Sequence, residues 1–590
     1  MTTLTNKLCK LLYAVFVCMF FLSCQKDIDY VSINGQGPDL ITKVNSSVSG
    51  FVTDENNIAV KDASVIVGGI NTTTDKYGYF EIKNVQVVQN AAVVTVSKNG
   101  YFKGIKTYGA TNNKAAFFRI KLIPKINAGT ISASSGGIIT LSNGLIVSLP
   151  ANGVVTASNS SAYTGTINVA AHWIDPTGAD LNKTMPGDLR GIDETGSLKG
   201  LTTYGMVAVE LTGASGELLQ IASGKKATLT IPLPTAVLAS APSSIPLWYF
   251  DESLGLWKQD GSAVKTGNTY VGDVSHFSFW NFDIPNAYVP LSFNIVDAAG
   301  NPISNAYVEI GTVPVTWSHA SGYADASGYV SLYVAPNTQY SLTVYSYCSF
   351  YLPAYTQNFN VSTNALYLGN ITLSAANTAS LTGIVTDCTN NPVSNGFVII
   401  QNGNDNFRQS LGSNGSFNYN TIICTTGSNI TVIGGDFTNF QQSLPMNLTL
   451  TPGANNLPNL QACGVTIQQE YFNYNVDGNN YSITYPSGSF IEWAWGPTGT
   501  QVLGGNNASN AVTTFDSQNI GLNSIQDLGG FKCSQVQDSM IVTTPVHVNI
   551  TEYGNIGEYI SGNFSGTLTG IHIPVATYNI SCNFRVKRSF

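Results

Sequence analysis

Charge is scarce in this chain: Asp, Glu, Lys and Arg make up 10% of its 590 residues, against roughly 25% in an average soluble protein. No cluster of basic residues interleaved with aromatics occurs, which argues against nucleic acid as a partner. No CxxC pair is found among the nine cysteines, so the paired spacing of a structural zinc site is missing. None of the five histidines (His172, His276, His319, His547, His572) is followed at the third position by Glu. Neither His-Glu-x-x-His nor Gly-x-Ser-x-Gly occurs, so the common metalloprotease and serine-hydrolase signatures are absent. No carboxylate pair sits in a recognisable motif for acid–base work. We therefore expect no cofactor, no metal and no ordinary active site.

What fills the space is Asn, Thr, Ser, Gly and Tyr, with hydrophobic residues at 43%. β-branched and aromatic residues favour strands, and Gly and Asn favour turns. The length has room for several domains at ~100–200 residues each. The expected class is all-β: tandem β-sandwich modules behind an N-terminal leader.

That leader carries Lys7 and Lys10, an apolar run from Leu11 to Leu22, and then Ser23-Cys24. A basic stretch followed by a short apolar run is the pattern of a signal peptide, and Gln25-Lys26-Asp27 ends the run before it reaches a comfortable membrane-spanning length. Phe21-Leu22-Ser23-Cys24 resembles the lipobox of bacterial lipoproteins. The resemblance implies cleavage before Cys24, a diacylglycerol on its thiol, and anchoring to a membrane, since stable anchoring takes two or more acyl chains. Gln25-Lys26-Asp27-Ile28-Asp29 resembles the tag of Bacteroidota lipoproteins displayed on the outer surface. We thus expect a signal peptide over 1–23, a flexible tether over 24–44, and an outer-membrane protein facing the exterior. Loss of Lys7 and Lys10 takes the net charge from −8 to −10, or 24 basic against 34 acidic residues. That acidity is spread along the chain and favours solubility.

Six cysteines remain beyond the leader: Cys348, Cys388, Cys424, Cys463, Cys533 and Cys582. In an exported chain they read as disulfides or buried thiols, and six allow 15 pairings, among which spacing does not choose.

Internal similarity organises the rest. Asp54, Asp297 and Asp387 each follow a short apolar stretch. Six residues on stand Val60, Ile303 and Val393; nine on, Ala63, Ala306 and Gly396; eleven on, Val65, Val308 and Val398. Further along, Asp75-x-x-Gly78-x-Phe80, Asp325-x-x-Gly328-x-Val330 and Gly412-x-x-Gly415-x-Phe417 recur. The aspartates read as turn formers and the later glycines as hairpin reversals. Through these residues the segments 45–124, 287–376 and 377–464 resemble carboxypeptidase regulatory-like, or transthyretin-like, β-sandwiches.

Residues 125–286 differ. Gly136-Gly137-Ile138-Ile139-Thr140-Leu141 and Gly144-Leu145-Ile146-Val147-Ser148-Leu149-Pro150 resemble the opening of ZU5-type β domains. Leu247–Asp251 and Gly255–Trp257 look like an aromatic hairpin. His276-Phe277-Ser278 resembles the site at which some ZU5-like domains cut themselves. There an N-to-O acyl shift would occur: the Ser278 hydroxyl attacks the Phe277 carbonyl while His276 takes its proton, the Phe277–Ser278 C–N bond breaks to free the Ser278 amine, and water then hydrolyses the resulting ester. The plainer reading, which we prefer, is a strand with His276, Ser278 and Trp280 on one face and Phe277 and Phe279 on the other.

The last segment, 465–590, alternates polar and apolar residues through Tyr471–Val476 and Val546–Ile550. Trp493 and Trp495 fall on one strand face, which reads as core first and as a sugar platform second. The Asn402–Asn406 loop reads as a solvated turn. We expect five modules strung out from Cys24, forming a non-catalytic scaffold, stalk or adhesion protein. The runner-up is a glycan-binding lipoprotein of an uptake system. Its partners would be the membrane and a glycan or another surface protein.

Overall fold

The computed structural model describes residues 38–590 apart from 314–317, 348–351, 404, 425–426, 468–469, 485–488, 496–498, 506–509, 517–519, 522, 535, 554–558, 572–574 and 589–590, and apart from the side chains of 318–319, 466, 484, 489, 491, 493–495 and 537–538. The chain is all-β, with two four-residue helices, Leu181–Thr184 and Thr235–Leu238, and one 3-10 turn, Ala375–Asn377, among the described residues. No helix there is long and apolar enough to cross a membrane.

The three repeats share one topology. Strand Lys43–Thr53 runs antiparallel to Tyr79–Val88 on one side and parallel to Lys114–Lys121 on the other. Val289–Val296 has the same relation to Tyr329–Val334 and Leu366–Thr372. In the third copy Thr378–Thr386 lies between Ser416–Ile422 and Gly453–Asn456. A second sheet faces each of these; in the first copy its order is Ile70–Thr73, Ser64–Val67, Ala92–Ser97, Gly104–Tyr108. The period-two pattern closes the sandwich: Val60, Ile303 and Val393 are buried, as are Val65, Val308 and Val398.

The turn chemistry read from the sequence is physically present. Asp54 Oδ1 accepts the backbone N–H of Asn56 and Ile58 at 2.9 and 2.8 Å. Asp297 does the same with Ala299 and Asn301, and Asp387 with Thr389 and Asn391. At the second turn Gly78, Gly328 and Gly415 have φ of 73–75°, a region that L side chains rarely adopt. A Cβ there would lie 2.3, 2.5 and 2.4 Å from the carbonyls of Val52, Ile295 and Val385. Glycine is required twice over, by backbone conformation and by space.

Residues 125–286 form a 13-stranded sheet that closes over a core including Val147, Leu229, Leu247 and Trp280. The aromatic hairpin is present as Ser244–Asp251 paired with Leu256–Thr266, and Trp248 and Trp257 are wholly buried. The last segment is a ten-stranded antiparallel sheet around Phe472, Phe531 and Phe584.

Several expectations need correcting. The first strand starts at Lys43, and Asp39 caps the turn before it by accepting from Ile41 and Thr42, so the last residues of the expected 24–44 tether belong to the first module; 24–37 lie outside the described residues. Residues 276–278 precede a strand that begins at Phe279, so the expected face alternation does not extend across them. Asn402–Asn406 is not simply solvated: Asn402 is buried, and Asp405 is held by Arg119 of the first module. Most importantly, the modules are not strung out.

Candidate functional site

The first module touches all four others, through side chains of its strands Gly104–Tyr108 and Lys114–Lys121 and through its turns around Asp62, Asp75 and Asn90. Arg119, on the strand Lys114–Lys121, reaches the fourth module: its guanidinium lies 3.0 Å from Asp405 Oδ1 and donates to Asn406 O at 3.0 Å. Four rings surround that guanidinium, those of Phe51, Phe117, Tyr323 and Phe407, at 5.1–5.8 Å. Arg408 returns the contact, pairing with Asp75 at 2.6 Å and stacking on Tyr79 and Phe397 at 4.5 and 4.3 Å. A planar, weakly hydrated cation suits such a box better than lysine does.

Toward the second module, Lys121 pairs with Asp180 at 2.7 Å, and the Thr107 hydroxyl donates to Gly255 O at 2.6 Å. Lys106, 4% exposed, donates to the carbonyls of Asn182 and Met185 at 2.6 and 2.7 Å, at the end of the short helix Leu181–Thr184. Burial pushes its ammonium down to about 7, against a smaller opposing pull from Asp188. Arg190 bridges three modules: it pairs with Asp188 at 2.7 Å, donates to Asn90 O at 2.8 Å, and stacks on Tyr333 at 4.4 Å. A cavity of about 210 Å³ sits where these three modules meet, lined by Lys106, Tyr108, Asp188, Arg190, Tyr323 and Tyr333. Burial raises the Asp188 carboxyl, against the pull of Arg190.

Toward the last module, Lys587 pairs with Asp62, and Lys61 lies 5.5 Å from the ring of Tyr559. Glu470 Oε1 accepts the Lys587 backbone N–H at 2.9 Å beneath this contact.

Sequence reasoning missed these residues. A signal was nonetheless available, because the chain has five arginines in 590 residues. Each of the five stacks on an aromatic ring, Arg585 and Arg588 on Tyr559 and Tyr553, and Arg119, Arg190 and Arg408 join modules as they do so. In a chain that uses charge so sparingly, each arginine marks a contact that is hard to satisfy otherwise.

The residues singled out from sequence fare variously. Cys24, with the leader, lies outside the described residues. Cys388 and Cys463 are joined by a disulfide that closes the fourth module, Cys424 is also disulfide-bonded, and Cys533 and Cys582 are buried thiols; Cys348 lies outside the described residues. Trp493 and Trp495 lie on the strand Ser489–Trp495, opposite Gln501 and Gly499, with side chains outside the described part.

At the candidate cut, Gln220 clamps the Phe277 peptide from both sides, accepting its N–H at 2.6 Å and donating to its carbonyl at 3.0 Å. The Ser278 hydroxyl donates to Phe279 O at 3.1 Å, the carbonyl on the far side from the one it would attack. The His276 ring packs against Tyr249 and Trp280 at 4.7 and 5.1 Å, and burial lowers its pKa. No group of three or more His, Cys, Asp or Glu able to hold a metal occurs among the described residues.

No family model matches the chain. Among curated proteins, cartilage intermediate layer protein 2 of Mus musculus is 26% identical over 204 residues, which is 33% of this chain and 17% of that protein. Its Homo sapiens counterpart is 28% identical over 121 residues, 20% of this chain and 10% of that protein. The matched stretch is thus under a fifth of either relative's length. Among solved structures, the shaft pilin SpaA of Lactobacillus rhamnosus GG is 10% identical, with 30% of this chain and 98% of that one covered and a TM-score of 0.17. BcpA, the major pilin subunit of Bacillus cereus, is 11% identical over 56% of this chain and 99% of its own, with a TM-score of 0.13. Likeness at such scores carries no argument about this chain's function.

Proposed function

We propose that this protein is a non-catalytic scaffold of the cell surface, tethered to the outer membrane through a lipidated Cys24, whose first module gathers the other four into one body. The observation that carries the scaffold reading is the reciprocal pair of ion contacts, Arg119 with Asp405 and Arg408 with Asp75. Both are largely buried, and a buried pair that loses one partner leaves a costly lone charge. Such contacts hold modules in a fixed relation, which is what a presenting scaffold needs.

The anchor is tested by phase partitioning. The processed protein should enter the detergent phase, and Cys24→Ser should move it to the aqueous phase; equal partitioning of both would sink the anchor. Small-angle scattering tests the gathered body: a compact particle is expected, and an extended string of independent modules would overturn it.

A second reading is glycan recognition by the last module. It is favoured by that module's outer face, which presents amides and hydroxyls where a solvated sheet ordinarily mixes both signs of charge.

A further inference from the structure

The alternation in the last segment places one chemistry on its solvent face. Ser482, Asn473, Asn583, Asn563 and Asn549 stand directly opposite one another on five adjacent strands. One step along, Asn480, Asn475, Ser581 and Ser565 form a second row. Directly opposite residues of an antiparallel sheet project on the same side, and neighbouring strands lie roughly 4.8 Å apart. The rows therefore make a regular grid. Phe472, Tyr474, Phe564, Cys582 and Phe584, the residues between, are buried on the other side.

Neither row carries a charge. Beyond the first row the face ends at an ion pair, Arg585 with Glu552 at 2.6 Å, and beyond the second it continues as Thr567 bonded at 3.0 Å to Asn579, whose backbone N–H donates to Asp477 Oδ1 at 2.8 Å outside the trough. All of the grid but Asn549 lines a shallow trough of about 580 Å³. Lateral bonds fix part of it: Ser482 donates to Asn473 Oδ1 at 2.6 Å, and Asn475 Nδ2 donates to Asn480 Oδ1 at 2.9 Å. An amide has two donors and an acceptor with two lone pairs, so each held amide keeps further capacity turned toward solvent.

We infer that this trough is a docking surface for a neutral polysaccharide, a deepening that rests on the second reading above. A polyhydroxylated chain offers donors and acceptors at close intervals along its length, as the grid does. An anionic polymer would find no cation in the trough, and a cationic one no carboxylate. A polymer rather than a single small sugar fits a trough that spans four strands.

The test is affinity electrophoresis of the full chain in native gels containing starch, xylan, galactomannan or mixed-linkage glucan, with polygalacturonate and heparin as charged controls. Retardation by at least one neutral polymer is expected. It should weaken at least tenfold in Asn473→Ala/Asn563→Ala/Asn583→Ala, and also in Asn583→Glu, a single change at an exposed position, with near-ultraviolet dichroism unchanged. Binding that survives these changes and disappears in Trp493→Ala/Trp495→Ala would overturn the trough while leaving glycan recognition standing. Retardation by the charged polymers alone would overturn the trough, and no retardation by any polymer would overturn both.

Discussion

Asp75 serves two partners at once: one carboxylate oxygen closes its own turn, accepting from Tyr77 and Tyr79 at 2.8 and 3.0 Å, while the other meets Arg408 at 2.6 Å, 333 residues away. Its counterpart in the second repeat, Asp325, closes the same turn through Ser327 and Tyr329. A local turn former has thus become a joint between modules in one repeat.

Breaking that joint should be expensive. Arg408→Met leaves the Asp75 carboxylate buried without its cation, a loss of roughly 3 kcal/mol. Adding Asp75→Asn should recover part of it, because the lone charge is then gone. Chemical denaturation of the single and double variants measures this; a single-variant loss under about 0.5 kcal/mol would show the contact to be solvent-screened.

The turn glycines make a second test. Gly328→Ala forces a Cβ to within 2.5 Å of the Ile295 carbonyl at a φ of 75°. The expected cost is about 3 kcal/mol, seen as earlier thermal unfolding of the module around Phe293. Ser327→Ala, one residue before, should cost far less.

The Cys388–Cys463 disulfide closes a loop of 75 residues. Chain-entropy arguments put its contribution at about 4 kcal/mol. Cys388→Ser with Cys463→Ser should lower the unfolding midpoint of the fourth module, and reductant should then have less further effect on that module. A midpoint equal to that of the unaltered oxidised chain would contradict this.

Glu470 gives a pH signature. Burial raises its carboxyl from the usual 4.5 to about 7, with Asp62 adding to the rise and Lys587 and Lys61 opposing it. A carboxyl whose folded pKa lies above its unfolded one contributes stability that is full below about pH 4.5 and is lost as pH climbs to about 7. The last module should weaken over that window by on the order of 3 kcal/mol, and Glu470→Gln should flatten the profile. Stability rising through the window on account of Glu470 would reverse the sign and refute the argument.

At His276-Phe277-Ser278 the geometry favours an uncut chain, since the Ser278 hydroxyl faces the Phe279 carbonyl and Gln220 holds the Phe277 peptide. Freshly purified protein should give one band on a denaturing gel and an unbroken mass, the same for Ser278→Ala. Two fragments meeting after Phe277 would show that self-cleavage occurs.

The repeats were legible because what makes them is local. An aspartate closes a turn within four residues, a glycine permits a reversal that no other residue fits, and alternation assigns each side chain to core or solvent; all three act over a few residues along the chain. The same alternation was visible through Tyr471–Val476, but it could not line Asn473 up with Asn583 and Asn563, because register across strands is set by pairings up to about 110 residues apart. How the modules assemble was beyond the sequence for the same reason. Arg119 meets Asp405 and Arg408 meets Asp75 across some 300 residues, and nothing in either neighbourhood names its partner. Tertiary structure decided that, since a buried cation goes wherever a carboxylate and aromatic rings converge in space, regardless of their order along the chain.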